Sequence, residues 1–172
     1  VEPIVRLFTE AHRLGVRHFV LTQDTHDPQA EEFREWGPHC VRGTPESQTV
    51  PELARLPFAN RYTVMPKNSI SSAIGTALDR WLDEHPEVKD LICVGDCTDL
   101  CLYQLAMHVK LRSNALGLQY RVTVPADCVQ TYDLPVEAAK QLGAMPHDGD
   151  LLHRVFLYHM ALNGVNVLRS LT

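Results

Sequence analysis

Apolar, β-branched stretches alternate with stretches of helical periodicity along this chain, and this alternation limits its fold more than any other feature. The strand-like stretches are VRHFVLTQ, RYTVM, VKDLICVG, YRVTVPAD and VNVL. Apolar residues at helical spacing or helix-boundary residues indicate helices over residues 3–14, 74–85, 98–113, 133–143 and 148–164. Strands separated by helices form parallel sheets, so we predict an α/β class, doubly wound fold with a mainly parallel sheet flanked by helices on both faces.

Length and composition narrow the class of protein. A chain of 172 residues with 45% hydrophobic content predicts one domain over residues 1–172. The net charge of -5 and the scattered Lys and Arg residues argue against nucleic acid or a membrane as partners and favour a small molecule. No membrane span or secretory leader is visible, and five cysteines at irregular spacing indicate reduced thiols, so we expect a cytoplasmic protein. A homo-oligomer stays open.

The segment GDCTDLC contains two cysteines where a predicted strand runs into a helix. Cys101 is placed about one turn into that helix, with Thr98 or Asp99 as its N-terminal cap, so the helix N-terminus would stabilise a thiolate. The backbone amides of Cys97 and Cys101 could bind an oxyanion on an attacked carbonyl. Burial of both thiols in the core is the alternative, and the spacing is not that of a CxxC redox or zinc site.

The segment between Asp24 and Pro57 has little periodicity and is rich in residues that bind metals. Asp24 and His26 form a DxH pair, and His39 follows, together with three glutamates, Glu31, Glu32 and Glu35. Imidazole and carboxylate ligands suit zinc, iron or manganese better than calcium. A solvated polar loop is the alternative.

Two further features have competing interpretations. Lys67 follows the strand RYTVM, where it could stabilise a thiolate or carry a proton, although a lysine after a strand is usually solvated. His153 and His159 lie six residues apart on one predicted helix, which places them on different faces. We interpret both histidines as packing or surface residues.

Four segments in this order, DTHDP, WGPHCVRGTPES, MPKNSISSAIGT and VGDCTDLC, resemble the isochorismatase-like cysteine hydrolases, and among them the nicotinamidases. The segments DLPVEAAKQLGA and LLHRVFLYHMALNG are similar to the plant-type branch. The resemblance implies an Asp, Lys and Cys triad in which Cys101 is the nucleophile and Lys67 the lysine. It also implies a cis peptide bond between Asp96 and Cys97 that aims the amides of Cys97 and Cys101 at the oxyanion.

The resemblance also assigns a metal and a substrate pocket. Its metal positions match Asp24, His26 and His39, with Glu32 as the fourth ligand and Glu31 and Glu35 as alternatives. The expected ion is divalent, zinc before iron or manganese, and would anchor the pyridine nitrogen of nicotinamide. Trp36 matches an aromatic residue that stacks on the substrate ring, and the remaining substrate contacts are assigned to Ala73 and Leu100.

The chain departs from the family pattern at two places. The triad aspartate belongs to a first-strand segment like VDxQxxF, whereas this chain opens with a helix, so we expect residues upstream of Val1. Ala73 stands where the family often has Phe, which would widen the pocket. The expected reaction is hydrolysis of nicotinamide to nicotinate and ammonia through a thioester. Another small amide, ureide or carbamoyl substrate is the alternative, as is a non-catalytic family member.

Overall fold

The computed structural model describes residues 1–171, which form two compact units, Val1–Trp81 and Leu82–Leu171. We describe each unit by itself, and the single domain over residues 1–172 stays a prediction. Among the residues described, no helix combines the length and the apolar character that crossing a membrane requires.

The first unit contains two parallel strands and three helices. Helix α1 (Glu2–Arg13) has Pro3 in its first turn and is followed by β1 (Phe19–Asp24). Short helices α2 (Phe33–Trp36) and α3 (Pro51–Ala54) precede β2 (Tyr62–Lys67), and single 3-10 turns form at Pro45–Ser47 and Ala59–Arg61. The two strands pair in parallel so that Asp24 is opposite Lys67. Their register therefore places two of the predicted site residues side by side.

Aromatic side chains form the core of this unit. Phe19 on β1 lies 5.2 Å from Phe8 of α1 and 5.1 Å from Phe58, measured between ring centroids. His12 stacks flat on Phe58 at 4.0 Å, and Tyr62 closes the group with its ring 6.1 Å from Phe19. Such ring pairs stabilise a packing arrangement beyond their burial alone, so α1 is held against the strands.

The second unit contains two separate parallel sheets. One sheet has three strands in the order β3-β5-β7, namely β3 (Asp90–Ile92), β5 (Arg121–Pro125) and β7 (Asn166–Leu168). The strands β4 (Gly95–Asp96) and β6 (Val129–Gln130) form the other. Helix α4 (Leu78–Glu84) precedes β3, and the remaining helices are α5 (Cys101–Leu116), α6 (Val136–Leu142) and α7 (Gly149–Leu162). Ala106, Val109, Val124 and Met160 are fully buried in this unit's core.

The predicted α/β class with parallel strands is confirmed, while several boundaries move. The predicted strand over residues 88–95 divides into β3 and β4, which pair with different strands, β3 with β5 and β4 with β6, and Gly95 begins β4 with a φ of 116°. The helix predicted over residues 74–85 begins only at Leu78, where the hydroxyl of Thr76 accepts from the Leu78 amide at 3.2 Å. Lys67 is the last residue of β2, one step inside the strand and not beyond it.

The helix predicted from Thr98 begins at Cys101, and its predicted cap is wrong. Leu100 is the N-cap residue and makes no side-chain cap. The Asp99 carboxylate instead accepts from Thr131 and lies 2.7 Å from a nitrogen of His147, so it is not available to the helix amides. At the other end, α5 runs to Leu116 and ends at Gly117, whose φ of 66° is left-handed.

Candidate active site

Cys101 is the first residue of α5, at the end of a turn that is closed by its own backbone. The amides of Leu100 and Leu102, on either side of Cys101, both donate to the carbonyl of Cys97 at 3.1 Å. The amide of Thr98 donates to the carbonyl of Gln130 at 2.9 Å, which ties the turn to β6. A thiol at the N-terminus of a helix this long lies where the helix dipole favours a thiolate.

The neighbouring Cys97 has a different environment. Burial raises the pKa of its thiol to about 11, an effect only partly offset by a hydrogen bond with the Thr131 side chain. Cys97 is therefore a neutral thiol at neutral pH, and the oxyanion role of its backbone amide stays a prediction. The peptide bond between Asp96 and Cys97 is cis, as the family resemblance implies.

The side chains of Thr98 and Asp99 in this turn contact three residues that had no predicted site role: His153, Thr131 and His147. Thr98 is fully buried, and its hydroxyl oxygen lies 2.9 Å from Nδ1 of His153. Asp99 is bound by the hydroxyl of Thr131 and the imidazole of His147. His153 therefore contacts the turn in addition to packing on its helix. The only sequence signal for His147 was its place between Pro146 and the Asp148 cap of α7.

In the first unit, three predicted metal ligands come together. One side-chain donor atom from each of His26, Glu32 and His39 lies within 4.8 Å of the others. His26 is fully buried, and within residues 1–171 neither of its ring nitrogens has a hydrogen-bond partner. Buried polar groups normally have partners, so this imidazole has the features of a metal ligand.

The other two side chains are each held by one atom and leave another for the cluster. The amide of Ile70 donates to Oε2 of Glu32 at 2.8 Å, while Oε1 of Glu32 is buried and has no hydrogen-bond partner among the described residues. Nδ1 of His39 lies 2.9 Å from the carbonyl of Gly37, so it donates there and leaves Nε2 as an acceptor. The rings of His26 and His39 lie 4.5 Å apart.

The alternatives for the glutamate ligand are now distinguishable by exposure. Glu31 is 81% exposed and pairs with Arg34, whereas the side chain of Glu32 is 10% exposed. Glu35 is also exposed. Only Glu32 lies in the cluster, so the structure favours it over the other two.

Asp24 contacts both the cluster and Lys67. Its Oδ1 lies 3.4 Å from Nε2 of His26, and the Lys67 ammonium donates to the same oxygen. Lys67 is only 3% exposed and also donates to the carbonyl of Ser69 at 3.1 Å. The solvated surface lysine considered from the sequence is therefore wrong.

The three residues assigned to the substrate lie in different elements. Trp36 is the last residue of α2 and is 40% exposed. Ala73 belongs to the turn before α4, where the Ser71 hydroxyl accepts from its amide at 3.3 Å. Leu100 is the half-buried residue before Cys101. Their contacts with a substrate stay predictions.

Comparison with known proteins gives a consistent set of relatives. Residues 1–149 match the sequence profile of the Isochorismatase domain family. Nicotinamidase 1 of Arabidopsis thaliana is 31% identical over 159 residues, which cover 87% of this chain and 64% of that protein. The chain thus spans less than two thirds of the length of this relative.

Two solved structures show the same fold. N-carbamoylsarcosine amidase from Thermoplasma acidophilum has a TM-score of 0.72 at 23% identity, over 99% of this chain and 82% of that one. The pyrazinamidase of Pyrococcus horikoshii, solved in complex with zinc, has a TM-score of 0.71 at 20% identity, over 96% of this chain and 82% of that one.

Proposed function

We propose that this chain, which belongs to the isochorismatase family, is a cysteine amidohydrolase that converts nicotinamide and water to nicotinate and ammonia. The observation that carries the proposal is the position of Cys101 as the first residue of a 16-residue helix, at the end of a turn closed on the Cys97 carbonyl. Relatives named as nicotinamidase and pyrazinamidase support the substrate class. The expected location is the cytoplasm.

The reaction divides into two steps around a thioester. The Cys101 sulfur attacks the carboxamide carbon, and the backbone amides of Cys97 and Cys101 are assigned to the oxyanion that forms. The C–N bond then breaks, and the nitrogen leaves as ammonia with the proton that the thiol has given up. Water attacks the thioester, the C–S bond breaks, and the acid is released while a proton returns to Cys101.

Lys67 is the second catalytic residue that we propose. Its side-chain nitrogen is buried and paired with a carboxylate, which fixes its position at the end of β2. A fixed cation of this kind stabilises negative charge that develops on sulfur or oxygen during the reaction. This role is assigned from the resemblance and from the burial of Lys67.

The cluster in the first unit fits a divalent metal ion. His26, Glu32 and His39 each present a donor atom to it, and Asp24 lies beside it, so these four residues would hold the ion. Two imidazoles and carboxylates suit zinc, with iron and manganese as alternatives, and the zinc complex of the Pyrococcus relative supports the first choice. When bound, the ion would supply a Lewis acid that anchors a ring nitrogen of the substrate.

The first experiment measures ammonia release from nicotinamide by the purified protein and its Cys101→Ala variant. The unaltered protein should release ammonia, and the variant should lose activity by about 1000-fold or more, because the residue that forms the acyl-enzyme is gone. Cys40→Ala, a thiol of the first unit, is the matched control and should retain activity. If the Cys101→Ala variant were as active as the unaltered protein, Cys101 would not be the nucleophile.

A second substrate class is favoured by one residue. Ala73 stands where the family often has Phe, and the Thermoplasma relative with the same fold is named as an N-carbamoylsarcosine amidase. The same assay should therefore include a carbamoyl and a ureide substrate. Faster release from these than from nicotinamide would replace the first substrate by the second. No release from any of them by folded, metal-loaded protein would favour a non-catalytic family member.

A further inference from the structure

His147 is held at several points in the second unit. Its backbone amide donates to the Leu134 carbonyl at 2.9 Å, and its own carbonyl accepts from the Leu134 amide at 2.8 Å. Its ring stacks on Tyr132 with centroids 3.9 Å apart and planes 17° from parallel. The ring is therefore fixed in place and in orientation by groups that the proposed chemistry does not use.

Both nitrogens of this ring face acceptors. Nδ1 lies 2.9 Å from the carbonyl oxygen of Tyr132, and Nε2 lies 2.7 Å from Oδ2 of Asp99. A carbonyl oxygen can only accept, so Nδ1 carries a proton. The imidazole thus bridges the Tyr132 carbonyl and the Asp99 carboxylate, and a hydrogen bond to a carboxylate is charge-assisted.

Asp99 is saturated by a second donor. The hydroxyl of Thr131 donates to its Oδ1 at 2.5 Å, while the Asp99 side chain is only 5% exposed. The two carboxylate oxygens are thus bound by different residues, Oδ1 by Thr131, which follows β6 directly, and Oδ2 by His147, whose ring stacks on the next residue, Tyr132. A buried carboxylate with strong partners on both oxygens resists rotation, because any other rotamer would leave it desolvated and unpaired.

We propose that Asp99, Thr131 and His147 form a clamp that positions Cys101 for reaction. The clamp fixes Asp99, which is separated from Cys101 by Leu100 alone, and so it fixes the turn that directs both the thiol and the neighbouring amides. This inference rests on the proposed role of Cys101 as nucleophile. The three side chains are positioning residues, and none of them is assigned a contact with the substrate.

The test compares three variants with the unaltered protein. Asp99→Asn removes the negative charge at nearly constant shape. Thr131→Val replaces the hydroxyl by a methyl group, whereas Thr131→Ser keeps the hydroxyl. His159→Gln is the control, because this histidine of α7 bonds Tyr103 and Asn163, and within residues 1–171 no hydrogen bond or ring contact joins it to the clamp residues. Hydrogen exchange of the peptide that contains β1 shows whether each variant keeps its native structure away from the affected segment.

The first readout is hydrogen exchange of the peptide that covers residues 97–102. Asp99→Asn and Thr131→Val should increase exchange there by about tenfold, with no change in the peptide of β1, and Thr131→Ser and His159→Gln should match the unaltered protein. Unchanged exchange in both disruptive variants would overturn the clamp, whatever the thiol does.

The second readout is alkylation by iodoacetamide, resolved by peptide mass spectrometry. In the unaltered protein Cys97, whose pKa burial raises to about 11, is the slow thiol with which Cys101 is compared. The two disruptive variants should slow alkylation of Cys101 about 10- to 100-fold and lower kcat for ammonia release by a similar factor, with KM within about threefold. Faster exchange with unchanged Cys101 alkylation would overturn the positioning role. Equal alkylation of Cys101 and Cys97 in the unaltered protein would instead overturn the proposed nucleophile, and the exchange data would still decide the clamp.

Discussion

At the scale of single residues, this protein is notable for polar side chains that are buried with specific partners. Lys67 is paired with Asp24, and Glu32 has one oxygen held by an amide and the other 3.8 Å from Nε2 of His26. Buried polar groups are costly unless they are satisfied, so each such arrangement indicates a constraint beyond packing. Two predictions follow directly from these side chains.

Replacing Glu32 by Gln should weaken zinc binding about 10- to 100-fold, because the amide keeps the bond from Ile70 but loses the charge offered to the ion. Zinc affinity, measured by competition with a chromophoric chelator, gives a readout independent of activity. Glu31→Gln is the matched control, since Glu31 is exposed and should leave the affinity unchanged. Equal affinities for the two variants would show that the cluster is not a metal site.

Replacing Lys67 by Met should lower kcat for ammonia release by about 100-fold or more, because the buried cation that stabilises developing charge is lost. Lys140→Met removes an exposed lysine paired with Glu137 and should leave kcat unchanged. Steady-state kinetics on folded protein, with zinc content verified, separates the two. A Lys67 variant with ordinary kcat would restrict this residue to structure.

At the scale of elements, α7 begins where the chain has little room. Gly149 is buried at its first position, and a Cβ atom there would lie 2.6 Å from the carbonyl oxygen of Tyr132. That carbonyl is the acceptor for Nδ1 of His147. The first residue of α7 is therefore packed against the backbone of Tyr132, the residue after Thr131, which binds Asp99. Backbone cannot move aside as a flexible side chain can.

Gly149→Ala should consequently destabilise the protein by about 1–3 kcal/mol, although alanine is the better helix former. Arg154→Ala, on the exposed side of the same helix, should change the free energy of unfolding by about 0.5 kcal/mol or less. Urea denaturation measures both values. A neutral or stabilising effect of Gly149→Ala would mean that the Tyr132 carbonyl can shift at no cost.

At the scale of the whole molecule, buried thiols couple stability to pH. Burial raises the pKa of Cys93 from its ordinary value of 9.0 to about 12, and that of Cys97 moves in the same direction. In the unfolded chain these thiols ionise near their ordinary value, so between the two pKa values the unfolded state binds fewer protons. Their contribution to stability is fully present below pH 9 and is lost as the pH rises above it.

Cys93→Ala should therefore flatten the alkaline part of the stability profile. The unaltered protein should lose free energy of unfolding more steeply above pH 9, by on the order of 1 kcal/mol per pH unit relative to the variant. Below that pH the two curves should run parallel, separated only by the cost of the smaller side chain. Urea denaturation from neutral to alkaline pH tests this, and parallel curves throughout would show that Cys93 is not shielded from ionisation.

Much of this protein could be predicted from its sequence because the signals are local. Apolar, β-branched runs and helical spacing predicted the α/β class, because both are local signals of the element that buries them. The order of short motifs predicted Cys101, Lys67, His26 and His39 as site residues, whereas the register that places Asp24 opposite Lys67 is an observation of the structure. The choice among Glu31, Glu32 and Glu35 could not be made from spacing alone.

The tertiary structure decided what depends on contacts between distant segments. The sequence predicts the Asp99 carboxylate as a helix cap, but in the structure it binds Thr131 and His147, which lie more than 30 residues away along the chain. The burial of Lys67 and that of the His26 ring, whose nitrogens have no hydrogen-bond partner among residues 1–171, are likewise set by residues that only the fold brings near. Sequence periodicity shows which face of an element is apolar, whereas the partner of a polar group is fixed by packing between distant segments. For this reason the sequence determined the fold class and the motifs, and only the tertiary structure determined the contacts.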